Sequence, residues 1–176
     1  MRLLRRFRKD QRGVSAVEFA FIAPVLIIIY FSVAELCQAM LAERKVSHAA
    51  SAVGDLVAQT GTTTPAGLTD VYAAATSVIS PFPAATLQLR VTSVKTDANN
   101  AATVDWSNGQ GLSALAKGAS VTLPANLLTP NQYVIMAEAK YTYTSPISYL
   151  FKTPIVFDQI FYLRPRMTTS VVCTAC

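Results

Sequence analysis

The chain has 176 residues, of which 52% are hydrophobic and 14% charged, with a formal net charge of +5 and a single histidine. That length suffices for one small core and argues against several domains. A basic balance would suggest nucleic acid if it lay on a folded face, but Arg2, Arg5, Arg6, Arg8, Lys9 and Arg12, set against Asp10, carry all of it. From Val14 onward nine basic residues face nine acidic ones. No nucleic-acid partner is therefore expected. The charge precedes an apolar run, where it acts as a topology determinant that keeps the N-terminus on the cytoplasmic side.

Residues 1–13 read as a basic leader ending at Gly13, and residues 14–42 as a transmembrane helix. The stretch from Phe19 to Ala34 has 16 residues without a charge, about 24 Å of helix. Flanking apolar residues extend it to bilayer length if Glu18 and Glu35 lie near the two interfaces. Pro24 interrupts the hydrogen-bond ladder and marks a predicted kink. Burying an ionisable side chain in such a run costs several kcal/mol unless it finds a partner, so Glu18 is a candidate functional residue. Its plainer reading is an interfacial carboxylate. For Glu35 the plain reading leads: a helix-end carboxylate in water.

Other kinds of N-terminus fit less well. A secretory signal needs a small-residue cleavage site soon after its apolar run, whereas Ala50-Ser51-Ala52 lies beyond Glu43, Arg44 and Lys45. A lipoprotein signal needs a small residue before the acylated cysteine, and Cys37 follows Glu35 and Leu36. An uncleaved anchor explains the apolar run and its basic flank but has no use for Glu18.

Residues 43–60 are expected to continue the helix outward as a stalk, with Val46, Ala49, Ala50, Val53 and Val57 on one stripe. Gly61 to Pro65 breaks it. A second helix follows, with Thr69 as N-cap candidate, Asp70 in the first turn, and Val71, Tyr72, Ala75, Val78 and Ile79 on one face. Pro81 and Pro83 end that helix. The remainder reads as strands. Leu87, Leu89 and Val91 alternate with polar neighbours, and Thr103 to Ser107 is a short strand closed by an Asn108-Gly109 turn. Tyr133, Ile135, Ala137, Ala139, Tyr141 and Tyr143 face opposite to Glu138, Lys140 and Thr142. Ile155 to Leu163 is β-branched and aromatic. The predicted fold is α+β: a long N-terminal transmembrane helix leading into a head, residues 61–176, with a short helix and an antiparallel sheet.

The segment from Gly13 through Val14, Glu18 and Phe19 to Pro24, with Glu35 beyond, resembles the TadE-like family of pseudopilins from tight-adherence (Flp) pilus systems. Shorter stretches at 87–94, 104–107, 141–144 and 164–166 resemble the heads of that group. Phe19 stands where major Flp pilins carry Tyr, which suits a minor pilin. The resemblance implies a type IV prepilin leader cut between Gly13 and Val14 by a membrane prepilin peptidase. Gly at that position permits close backbone approach in the peptidase groove. Cleavage would remove the +5 and create an α-amine on Val14. By the same resemblance Glu18, with Phe19, forms the assembly motif, its carboxylate neutralising a neighbour's N-terminal amine in low dielectric. The implied partners are the peptidase, the major Flp pilin and other minor pilins, the inner-membrane assembly platform and membrane lipid. The implied location is the bacterial inner membrane, single-pass, with a periplasmic head, in or at the end of a surface pilus; adhesion, secretion and DNA uptake all stay open as what that pilus serves.

Cys173 and Cys176 are a candidate disulfide in an exported head, with free or intermolecular thiols as the alternatives. Zinc would need two more ligands, and the one histidine, His48, lies on the stalk helix beside Ser47. No metal or cofactor is expected. No phosphate loop, H-E-x-x-H or carboxylate cluster occurs, so an enzyme is not expected. Trp106 and the tyrosines read as strand core. The two functions in competition are a minor pilin or pseudopilin, and an uncleaved single-pass binding module of the cell envelope that enters no filament.

Overall fold

The computed structural model describes residues 13–124, 127 and 129–176. The basic leader upstream of Gly13 lies outside the described residues. From Gly13, a 45-residue helix, α1 (Val14–Ala58), runs unbroken, about 68 Å at 1.5 Å per residue. It continues through Pro24, whose missing N–H leaves the Ala20 carbonyl without its usual donor.

The two halves of α1 live in different surroundings. Between Val14 and Val33 its large apolar side chains stand exposed, among them Phe19, Phe21, Ile22, Leu26, Ile28 and Tyr30. From Ala39 to Ala58 one stripe is buried: Ala39, Ala42, Val46, Ala49, Ala50, Val53, Gly54, Val57 and Ala58. The anticipated stripe from Val46 to Val57 is therefore present and points into the head. The boundary expected between a stalk at 43–60 and a head at 61–176 is absent, because that stretch of α1 forms one wall of the head's core. Small side chains decide this. Ala at five stripe positions and Gly at a sixth let the helix axis approach the sheet closely, which a free-standing stalk would not need.

Beyond α1, β1 (Thr62–Thr63) leads into α2 (Pro65–Val78). Thr64, not Thr69, is the N-cap: its hydroxyl accepts from the Gly67 N–H at 3.1 Å, and Pro65 takes the first helical position. Pro at that position is pre-set for the helix and loses no bond there, whereas Thr69 already sits one turn inside with its hydroxyl donating to the Pro65 carbonyl. Leu68, Tyr72, Ala75 and Ile79 bury the face that meets α1.

The sheet comprises β2 (Leu87–Thr96), β3 (Ala102–Gln110), β4 (Tyr133–Tyr143) and β5 (Ile155–Leu163). All neighbours are antiparallel in the order β3-β2-β4-β5. Leu87, Leu89, Val91, Ile135, Ala137, Ala139, Tyr141 and Tyr143 face the helices and form the main core. Asn108 and Gly109 do not turn the chain; they pair with Val91 and Arg90 and prolong β3. Gly109 is required there because a Cβ would overlap the Leu112 carbonyl oxygen.

A register shift between Ser93 and Val94 marks a bulge of the kind that bends a strand. The sheet's other face is also covered. Val94, Val134 and Met136 pack beneath Leu115, Val121, Leu123 and Leu127 of the long connection between β3 and β4. On that face Arg90 pairs across the strands with Glu138 and donates to the Ser113 carbonyl at 2.9 Å; the Glu138 bond pushes the guanidinium still further up. Glu138 faces opposite to the main core, as anticipated, and is itself buried.

The C-terminal segment closes the end of α1. Arg166 N–H donates to the Ala58 carbonyl at 2.8 Å, and Trp106 Nε1 donates to the Val171 carbonyl at 2.7 Å. There, β6 (Val172–Cys173) pairs in parallel with β1.

A side chain at Gly54 would bring its Cβ to 3.1 Å from the Ala137 Cβ and into the Leu163 methyl. Gly54→Val is expected to lower stability by about 1–3 kcal/mol, the range for overpacking a closed core. Thermal unfolding of detergent-solubilised protein should show a lower midpoint, while the half-buried Ala52→Ser changes it little.

Candidate functional site

The N-terminal junction places its residues simply. Gly13 is the N-cap, with φ −84° and no side-chain cap bond, and Val14 opens the helix. Apart from its chain neighbours and the adjoining helix backbone, no described atom lies within 4 Å of where a Gly13 Cβ would stand, so nothing within the described fold demands glycine there. Glu18 and Phe19 are exposed within the first turns, and Phe19 is 68% exposed. The Glu18 carboxylate makes no hydrogen bond or ion pair with any described residue. Pro24 is exposed as well. Gly13, Val14, Glu18 and Phe19 thus come together at the start of one helix, with no side-chain partner among the described residues.

The apolar half of α1 is long and hydrophobic enough to cross a membrane, with a mean hydropathy of 2.3 over its best window and none of that window buried. This is what single-pass anchoring requires.

Glu35 departs most from expectation. It is 0% exposed, not a carboxylate in water. The stretch between β4 and β5 folds over it: the Ser145 hydroxyl and the Leu150 N–H donate to its two oxygens, and the Tyr149 N–H donates at 2.9 Å. The Ser145 hydroxyl in turn accepts from the N–H groups of Ile147 and Ser148, each at 3.3 Å. Ser148 takes a left-handed conformation, φ +54°, that turns the chain here. A carboxylate is acceptor-only when ionised and can hold several donors at once, so one side chain organises a whole loop. The signal was present in the sequence. Positions 35, 39, 42, 46, 49 and 53 follow the alternating spacing of three and four that marks one helix face, and Glu35 continues the stripe inward from Val46.

Elsewhere, Ser47, His48, Ser51, Ala52 and Asp55 of α1 line an open groove against Phe161, Leu163 and Arg166. Arg166 pairs with Asp55 across it. His48 is exposed and its imidazole makes no hydrogen bond among the described residues, and no cluster of three or more metal-ligating side chains occurs among them. At the end of the head away from the apolar helix, Cys173 and Cys176 are joined, with Cα atoms 5.6 Å apart. Cys37 is free and exposed on α1.

Residues 13–55 match the TadE-like protein family. The match begins at the N-cap glycine and ends within the buried stripe, so it takes in Glu18, Pro24, Glu35 and most of the surface that docks on the sheet. No curated protein and no solved structure matches the chain.

Glu35→Gln keeps the size but replaces one acceptor oxygen with a donor, leaving a loop N–H unsatisfied at a cost of about 1–3 kcal/mol. Hydrogen exchange at Tyr149 and Leu150 should accelerate about tenfold or more, with amides of β2 and β4 unchanged.

Proposed function

From a TadE-like N-terminal helix joined to a small α+β head, we propose that the protein is a minor pilin or pseudopilin of a tight-adherence (Flp) pilus. The observation that carries this reading is the junction at Gly13. A basic segment ends there, an apolar helix begins at the next residue, and the family match starts at that same glycine. The role is structural, not enzymatic. A prepilin peptidase cuts after Gly13, releasing the basic leader and exposing the Val14 amine. The leader has by then fixed the N-terminus on the cytoplasmic side, which puts the head in the periplasm.

Glu18 supports assembly over simple anchoring. A carboxylate on an exposed apolar helix surface is costly in a bilayer without a partner, and the described residues supply none. The Val14 amine of a neighbouring subunit is the partner of the right charge. Such a pair would favour one axial stagger among packed helices, since slipped arrangements leave both charges unpaired. The subunits it meets are the major Flp pilin, other minor pilins and the inner-membrane platform.

A second reading, an uncleaved envelope module whose head recruits a partner, draws on the head's closed core, which is complete without neighbours. Intact-mass measurement on membrane-extracted protein, from a host with the cognate peptidase, separates the two. The pilin reading expects Val14 at the N-terminus, and full-length protein when Gly13 is replaced by a bulky residue. Met1 or Arg2 at the N-terminus of wild type overturns it. Glu18→Gln is expected to be cleaved and membrane-inserted, since a neutral amide is cheaper to bury than a carboxylate. Pilus counts and co-purification with the major pilin should nevertheless fall. Normal piliation would leave Glu18 as an interfacial residue only.

A further inference from the structure

The loop held by Glu35 shows an unusual combination of surface and backbone. Ile147, Tyr149 and Leu150 are 45%, 49% and 48% exposed, three large apolar side chains within four positions. Beneath them, four consecutive backbone N–H groups are satisfied inside the protein: those of Ile147 and Ser148 by the Ser145 hydroxyl, and those of Tyr149 and Leu150 by Glu35. A loop standing in water has no need of this, because water would serve the same groups. A loop in a poorly hydrated layer does need it, since each unsatisfied group there costs several kcal/mol.

The height of the loop along α1 agrees. From Val14 to Glu35 the helix rises about 32 Å, against a hydrocarbon thickness of about 30 Å. On the side of α1 facing away from the head, exposed apolar surface continues through Leu36, Met40 and Leu41. Exposed charge first returns at Glu43 and Arg44. The loop's apolar side chains thus stand where the free side of the helix is still apolar, and Lys152, exposed just beyond them, has a stem long enough to reach the headgroups.

We infer that the loop at residues 145–150 is seated in the outer headgroup region of the bilayer. Ile147, Tyr149 and Leu150 enter the lipid, and Glu35 with Ser145 supplies the acceptors that let the backbone lie there. The partner is the lipid surface itself. This rests on the reading of α1 as a membrane span and adds a second, head-borne contact that fixes how the head stands on the bilayer. A single span leaves helix and head free to tilt together in the bilayer; a seated loop removes that freedom.

The test uses full-length protein in vesicles of phosphatidylethanolamine and phosphatidylglycerol, in a Cys37→Ala background labelled without reductant. An environment-sensitive fluorophore is placed on Ile147→Cys, Leu150→Cys, Ile27→Cys and Gln59→Cys. Position 27 lies mid-helix, and position 59 at the far end of α1, about 36 Å above Glu35. Nitroxide lipids and aqueous iodide serve as the two quenchers. Labels at 147 and 150 are expected to be quenched by lipids carrying the nitroxide near the headgroup, and several-fold less by iodide than the label at 59. In Glu35→Gln protein, iodide quenching at 147 should rise toward the value at 59. Iodide access at 147 and 150 equal to that at 59, with position 27 still quenched by lipid, overturns the inference and leaves the membrane span intact. Protection from both quenchers means that protein covers the loop, and also overturns it. Failure of lipid quenching at position 27 removes the span itself, and the inference with it.

Discussion

Close contact between the small-residue stripe of α1 and the sheet is the constraint on which the rest of the molecule depends. One helix has to serve two media. Its first half offers bulky apolar side chains all round, as a lipid-facing surface does, while its second half must sit against β4 and β5 without holding them off. Ala39, Ala42, Ala49, Ala50, Gly54 and Ala58 provide that approach, and Val46, Val53 and Val57 fill the space between helix and strands. Because the same helix is anchor and core, the head cannot hinge freely at a stalk. Its orientation relative to the apolar segment is set by helical continuity, a more rigid coupling than a linker of any composition would give.

Much of this organisation was legible in the sequence because it obeys a simple period. The 3.6-residue stripe from Val46 to Val57 and the alternation from Leu87 to Val91 and from Tyr133 to Tyr143 each report one buried face, and Ile155–Leu163 emerges as a strand over the anticipated range. The N-terminal junction was legible as a motif, and the family match covers it. What escaped depends on contacts distant in sequence. Asn108-Gly109 carries a hairpin signal, but β3 continues because its partners on β2 extend to Arg90. Thr64 and Thr69 are both acceptable caps locally, and Pro65 tips the choice. The cover over the sheet's second face comes from the irregular connection between β3 and β4, which has no period to read.

Glu35 was misread for a different reason. A carboxylate at the end of an apolar run satisfies the expectation of solvent exposure so readily that its place in the buried stripe is easy to overlook. Its partners lie 110 to 115 positions away, and two of them are backbone N–H groups, which have no side-chain signature. Only the stripe's spacing pointed inward, and it pointed against polarity.

Glu18 and Glu35, the two carboxylates nearest the apolar half of α1, therefore divide the work of a helix that leaves one medium for another. Glu35 finds its donors within its own chain, and its charge is spent on internal order. Glu18 finds none among the described residues, although it lies at the end of the helix with the least protein around it. An unpaired carboxylate is disfavoured in lipid and tolerated at the interface, so its energetic consequence depends on depth. Sliding α1 outward by even one turn would carry Glu18 about 5 Å deeper into the bilayer, a move unfavourable for a lone subunit and acceptable only where a cation waits. On the inferred seating of the loop held by Glu35, that penalty would hold the other end of the helix at its own interface.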